Sequence, residues 1–388
     1  MAKTYEEINQ KIRDGKAVVV TAEEIIGIIA EKGIEKTAEY VDVVTTATFG
    51  PMCSSGAFLN FGHTSPPIRM QKTLLNQVEG YSGIAAVDTY IGATEWSNDR
   101  GIEYGGAHVI CDLIDGKDIE LEAYSNGTDC YPRKEVRTSI NLASLNEAYL
   151  FNPRNAYQNY NAATNSSNRT VKTYMGVLKP DFENVTYCTS GELSPLLNDP
   201  TYRTIGIGTR IFLAGAQGYV AWQGTQFNSS AQRDENGVPV KPAGTLAVIG
   251  DLKQMDTRYI QPGVFEGYGV SLFLGIGIPI PILDEEMVKS VGVTNRDIKT
   301  NVVDYGREDG RKDVVRSVNY EELRSGSIEI AGKLVKTAPI TSLKKSREIA
   351  ALLKSQIESG AFLLQKPIEA FGTDGVVNGL KIEEAFNK

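Results

Sequence analysis

Two of the four cysteines stand where a chain would place a reactive thiol. Cys53 lies in TFGPMCSSGAFLNFGHTSPP, residues 48–67. The β-branched run just before it, VDVVTT over residues 41–46, predicts a buried strand. Gly50 and Pro51 are expected to break that strand, leaving Cys53 at its mouth among Ser54, Ser55 and Gly56, open to a substrate. Cys130 lies in SNGTDCYPRK, a loop of turn residues after the expected strand 119–124. The thiolate is the reactive form of cysteine, so Arg133 and Lys134 favour reactivity at Cys130 while Asp129 opposes it. Cys53 has no basic neighbour, although a helix start following it would supply partial positive charge. Cys111, inside HVICDLI, reads as a small buried hydrophobe in a strand. Cys188, between Val185-Thr186-Tyr187 and Thr189-Ser190-Gly191, is intermediate and reads as structural.

Four other side chains could serve these thiols. His63, in NFGHTSPP, either handles protons near neutral pH or is a hydrogen-bonded loop histidine. His108 reads as structural at a strand start. Arg210 is a lone charge in the apolar, glycine-rich GIGTRIF. Its guanidinium either binds a substrate carboxylate or pairs with an acid of the protein. Arg69, after Pro66-Pro67-Ile68, is a weaker candidate of the same kind.

The elements that must position these groups are partly legible. Thr4 with Glu7, and Thr21 with Glu24, are capping boxes. The first predicts a helix to Arg13, stopped by Gly15. The second opens a helix with Ile25, Ile28 and Ile29 on one face. Segments 84–91, 107–114 and 119–124 read as strands, the last two joined as a hairpin by Asp115-Gly116. Residues 152–168 hold six asparagines, but Tyr157 and Tyr160 favour order, with Asn serving as turn and side-chain hydrogen-bond chemistry. The glycine-dense stretches 186–226 and 263–281 either let a backbone approach a ligand or mark bulges and tight strand packing. Neither contains GxGxxG or GxxxxGK[ST]. The charged tract 304–320 reads as a solvated connection, 327–337 as a hairpin, and 342–358 as an amphipathic helix closed by Gly360. Residues 361–364 are expected to return to the sheet, and KIEEAFNK to form a surface tail. No internal repeat is visible.

At 388 residues the chain suggests two domains or one large one. With 41% hydrophobic and 23% charged residues it has ample core for a globular protein. A net charge of -8 argues against a nucleic-acid surface. No apolar run reaches a membrane-spanning length, and the N-terminus lacks a signal-peptide core, so a cytoplasmic location is expected. Four cysteines without a CxxC pair favour free thiols; with only two histidines they give little support to zinc or a standard ferredoxin cluster. The fold class is mixed α/β, a central β-sheet with flanking helices and a glycine-rich, strand-dense middle.

Six segments together resemble the homocysteine biosynthesis family, the L-aspartate semialdehyde sulfurtransferase-like proteins of anaerobic microbes. They are TFGPMCSSGAFLNFGHTSPPI, NGTDCYPRK, NPRNAYQNYNAATNSS, SGELSPLLNDP, IGIGTRIFLAGAQGYV and GIGIPIPILDEE. The resemblance runs from Tyr5 to Val377, a single family domain over residues 1–377 that could divide in two, with 378–388 as a tail. It implies conversion of aspartate semialdehyde to homocysteine with an inorganic sulfur source and a reductant. It also implicates two cysteines, which by motif are Cys53 and Cys130. On that basis Cys130 carries a persulfide, Cys53 resolves it, His63 manages protons, and Arg210 or Arg69 holds the substrate carboxylate. Two alternatives stay open: a [4Fe–4S] cluster held by Cys53, Cys130 and Cys188, or a non-catalytic persulfide carrier. The resemblance further implies a ferredoxin-like donor of electrons or sulfur, carrying such a cluster itself. Some family members carry a pair of CBS domains, for which this chain is expected to end too early. Assembly of copies is left open.

Overall fold

The computed structural model describes residues 2–373, 375 and 377–380. Its centre is the strand Val43–Pro51, which pairs over nine positions with the antiparallel strand Gly269–Pro281, from Val43 opposite Pro281 to Pro51 opposite Phe273. Val19–Thr21 flanks it in parallel on the other edge. From Gly269–Pro281 a ten-stranded sheet continues through Arg210–Leu213, Ala216–Gln223, Leu246–Asp251, Glu147–Asn155 and Gly56–Asn60 to Asp88–Gly92, with Ile260–Phe265 alongside. A six-stranded sheet, within residues 72–140, leans on its end. Another, within residues 162–339, has its own core of Val185, Ile298, Val302, Tyr320 and Leu323. The mixed α/β class is as expected.

Val43–Phe49 is buried on both faces, which explains a continuous β-branched run in place of an alternating one. One face is covered by the helix Leu343–Glu358, capped by Ser342 and followed by Gly360 at φ 77°. Glycines make the close seating possible. A Cβ at Gly275 would stand 2.6 Å from Ile349 Cδ1, and one at Gly277 would stand 3.2 Å from both Ile349 and Leu353. Two of the 263–281 glycines, Gly275 and Gly277, therefore serve tight helix-on-sheet packing. The helix also satisfies the strand where the short Val19–Thr21 neighbour stops. Ser346 Oγ accepts the Phe49 amide at 3.1 Å, and Thr45 Oγ1 donates to the Ala350 carbonyl at 2.9 Å.

The asparagine-rich segment is an ordered, buried crossover between the large sheet and the 162–339 sheet. Asn152, Asn155, Gln158, Asn159 and Asn165 have no exposed surface. Asn159 Nδ2 donates to Pro239 and Lys299 carbonyls at 2.7 and 2.6 Å, and Gln158 Nε2 to Leu196 and Pro200 carbonyls at 2.7 and 2.8 Å. Side chains thus meet the hydrogen-bonding needs of a buried non-repetitive backbone.

Several local expectations are corrected. Residues 107–114 belong to the helix Gly106–Ile114, so Cys111 is helical; His108 caps it by accepting the Gly105 amide on Nδ1 at 3.1 Å. Asp115-Gly116 ends that helix and makes no hairpin. An eight-residue apolar run fits a buried helix as well as a strand, and packing on the sheet decided it. The 84–91 strand begins only at Asp88. Gly50 and Pro51 lie inside the central strand. The charged 304–320 tract contains the strand Val314–Asn319, and 361–364 does not rejoin a sheet. Residues 381–388, the KIEEAFNK tail, lie outside the described residues.

If the helix depends on this glycine seat, Gly275→Val will force Ile349, the Tyr259 carbonyl and Phe49 apart. The expected loss is about 1–3 kcal/mol, read as a lower urea midpoint with an unchanged slope; an unshifted midpoint contradicts the seating.

Candidate active site

Cys53 sits at the corner of a β-turn that closes the end of the central strand. The Met52 amide donates to the Leu272 carbonyl at 2.7 Å, and the Ser55 amide returns to the Met52 carbonyl at 3.0 Å, leaving Cys53 and Ser54 as the two half-buried corners. Ser55 Oγ reinforces the turn by donating to the same Met52 carbonyl at 2.7 Å, and buried Asn152 Nδ2 donates to Ser55 Oγ at 2.8 Å. Gly56 lets the chain leave, since any Cβ there would collide with the Tyr90 hydroxyl and the Ile91 carbonyl.

The turn opens into a cavity of about 380 Å³ between the large sheet and the 162–339 sheet. Cys53, Arg154, Tyr157, Tyr174 and Cys188 all line it. Cys53 Sγ lies 3.1 Å from Ser271 Oγ. Burial pushes its thiol above the ordinary 9.0, against the opposing pull of the Ser271 hydroxyl and the Arg154 charge. Cys188 follows the strand Asn184–Tyr187, and burial pushes it up to about 12. Thr189 beside it adopts φ 74°, a strained backbone for a β-branched residue of the kind that collects at functional sites.

Arg154 is the cation of this cavity. A bulge between Asn152 and Asn155 turns it inward, with Asn152 Oδ1 accepting its amide at 2.7 Å. Its guanidinium donates to Gln226 Oε1 at 2.7 Å and Thr225 Oγ1 at 3.1 Å, both neutral oxygens. It is held in place while its charge stays available to an anion. Sequence reading passed over it as part of an asparagine run. No local signal in the sequence marks it: the bulge that turns it inward appears only in the pairing of Glu147–Asn155 with Leu246–Asp251.

The other expected residues lie elsewhere. Cys130 is exposed on its loop. That loop packs beyond the Asn60 end of the strand Gly56–Asn60: the His63 ring stacks on Tyr131 at 6.1 Å, and Arg133 donates to the Ser65 and Pro66 carbonyls at 2.8 and 3.0 Å. Cys53 precedes the Gly56 end. The strand alone separates the two ends by roughly 13 Å at about 3.3 Å per residue, so a direct Cys53–Cys130 disulfide requires movement. The structure pairs Cys53 with Cys188 in one cavity and leaves Cys130 and His63 outside it. Arg210 donates to the Leu363 carbonyl at 3.2 Å and lies over Tyr219, and Arg69 is exposed; neither lines the cavity. A [4Fe–4S] cluster on three of the chain's own thiols does not fit this arrangement. Among the described residues no group of three or more His, Cys, Asp or Glu side chains is gathered for a metal.

A family model described as homocysteine biosynthesis enzyme, sulfur-incorporation, matches residues 17–364. The chain belongs to this homocysteine biosynthesis family. It is 52% identical over 383 residues to an L-aspartate semialdehyde sulfurtransferase of Methanosarcina acetivorans, covering 99% of this chain and 75% of the relative. It is 48% identical over 385 residues to a Methanocaldococcus jannaschii protein of the same name, covering 95% and 73%. An uncharacterised Methanothermobacter thermautotrophicus protein is 30% identical over 333 residues, covering 83% and 72%. No solved structure matches. Sulfur incorporation, the family's chemistry, suits a cavity walled by two thiols. Among the described residues no helix is long and apolar enough to cross a membrane.

Because burial raises the Cys53 thiol and Arg154 lowers it, alkylation of Cys53 by iodoacetamide should still be accelerating above pH 9.0. Arg154→Ala should move that profile to higher pH. Peptide-resolved mass spectrometry reads both; a Cys53 profile levelling off below pH 8, or one unmoved in the variant, contradicts this electrostatic account.

Proposed function

We propose that this chain inserts sulfur into L-aspartate semialdehyde to give homocysteine, the activity for which its two relatives are named. The observation that carries the reading is a half-buried thiol, Cys53, sharing one cavity with an arginine free to take a carboxylate. Arg154 binds the α-carboxylate of the substrate in bidentate fashion. That places the aldehyde at the thiol end. Sulfur is held on Cys53 as a persulfide, either delivered as sulfane sulfur by a donor or formed when sulfide attacks Cys53 Sγ of a Cys53–Cys188 disulfide and expels the Cys188 thiolate, and its terminal sulfur attacks the aldehyde carbon. The S–C bond forms as the carbonyl π pair moves to oxygen, which takes up a proton. Cys188 then attacks Cys53 Sγ, leaving a Cys53–Cys188 disulfide and releasing the sulfur on the substrate. Counted from sulfide, one aldehyde, one hydrogen sulfide, two electrons and two protons give one thiol and one water. Persulfide sulfur is more oxidised and needs two electrons more.

The electrons come from a donor, for which a ferredoxin-like iron–sulfur protein is the chemical class. Cys130, exposed on its loop, is the thiol that a protein-sized donor of sulfur or electrons can reach. Passing sulfur from there to Cys53 involves movement of the 125–134 loop.

An anaerobic assay with aspartate semialdehyde, sulfide and a low-potential reductant tests this. Cys53→Ala should lose more than about 100-fold in kcat. Arg154→Gln should raise KM by roughly 10–100-fold, the worth of a charged hydrogen-bonded pair. Cys130→Ala should keep activity with free sulfide and lose it with a protein donor. Full activity in Cys53→Ala contradicts the reading; a KM rise in Arg210→Gln or Arg69→Gln, with none in Arg154→Gln, puts the carboxylate site elsewhere.

A further inference from the structure

We propose that Tyr174 is the proton donor of the Cys53 cavity, protonating the carbonyl oxygen of the substrate from a hydroxyl network recharged through Lys312. This rests on the carbonyl chemistry proposed above. Tyr174 is at the turn of the small hairpin Val171–Thr173/Gly176–Leu178, and its ring lines the cavity that holds Cys53 and Cys188. The same ring also borders an adjoining space of about 200 Å³ shared with Tyr160, Tyr305 and Lys312. It therefore stands in the wall between the thiols and that second chamber.

Three groups converge on its one oxygen. Tyr160 Oη donates to it at 3.2 Å, Tyr305 Oη lies at 2.8 Å, and Lys312 Nζ donates at 3.0 Å. Lys312 also lies 4.3 Å from the Tyr305 ring centre. The nearby carboxylates are engaged otherwise: Asp309 pairs with Arg307 and Arg311, and Asp313 with Arg307. The charged tract thus delivers one ammonium to a phenol, a use that its solvated composition does not suggest. Tyr268, edge-on at 5.9 Å, completes the surroundings.

The charges work in one direction. Burial alone would push Tyr174 up, but the hydrogen bonds from Lys312, Tyr160 and Tyr305 prevail, so it lies below the ordinary 10.0. Burial and the Tyr174 charge push Tyr160 and Tyr305 up, and a charge on Cys188 would add to this. Of the three phenols, Tyr174 ionises first. In the transfer step the sulfur–carbon bond forms, the π pair goes to the carbonyl oxygen, and the Tyr174 proton follows it. The phenolate left behind is held by Lys312 and the two hydroxyls. Lys312 is exposed, so the proton is replaced from solvent before the same oxygen leaves as water.

Tyr174→Phe keeps the ring and removes the proton. Its kcat should fall about 10²–10⁴-fold, with KM within about threefold. The rate should also fall as pH rises through the Tyr174 pKa, because the donor form is lost. Lys312→Met removes the charge that favours the phenolate, so that alkaline limb should move to higher pH, and Lys312→Arg should restore it. Phenolate absorbance gives a readout independent of substrate. One tyrosine should titrate below the ordinary value in the wild type, be missing in Tyr174→Phe, and shift upward in Lys312→Met. A Tyr174→Phe kcat within about threefold of wild type, or a titration untouched by Lys312→Met, overturns the proposal. A wild type that makes no homocysteine overturns the substrate reading instead, while the titration still decides the Tyr174–Lys312 pairing.

Discussion

The antiparallel ladder between Val43–Pro51 and Gly269–Pro281 is the constraint on which the rest depends. It fixes both sides of Cys53. One strand ends in the Met52–Ser55 turn that carries Cys53, and the other supplies Leu272, whose carbonyl holds that turn, and Ser271, whose hydroxyl meets the sulfur. Since side chains alternate along a strand, a one-residue slip would move Ser271 to the opposite face and free the turn. The glycines that seat the helix Leu343–Glu358 and the β-branched residues beneath it keep this register. Core packing and site geometry are therefore one feature of the fold.

A thiol so enclosed is not reactive by default. Burial disfavours the thiolate at Cys53 and more strongly at Cys188, so neutral thiols rest in the cavity until something negative is worth placing there. Arg154 supplies the compensating charge at one wall and Lys312, through Tyr174, at another. A carboxylate-bearing aldehyde meets a cation at its anionic end and a proton donor at its carbonyl. Such an arrangement restrains side reactions of free sulfur and activates the thiols when substrate arrives.

How much of this was readable depended on what each residue answers to. Cys53 was legible because a β-branched run announces the strand that delivers it, although Gly50 and Pro51 continue that strand instead of breaking it. The N-terminal capping box at Thr4 and the helix over 343–358 were legible for the same local reason. Cys111 was misplaced because HVICDLI fits either period, and only the sheet beneath chose the helix. Cys130 ranked high on its basic neighbours, yet Arg133 turns to the Ser65 and Pro66 carbonyls instead of the thiol. Arg154, Cys188 and Tyr174 become a site only because strands distant in sequence meet. No local pattern records that Tyr174 would find Lys312, 138 positions away.

The central claim is that transferable sulfur resides on Cys53, inside the cavity. Anaerobic loading with a sulfane-sulfur donor, followed by peptide-resolved mass analysis before and after aspartate semialdehyde, tests it most directly. The account predicts one added sulfur atom on the Cys53 peptide, discharged by the aldehyde with a Cys53–Cys188 disulfide in its place. Sulfur found on Cys130 alone, and discharged equally well by the aldehyde in a Cys53→Ala variant, would contradict it.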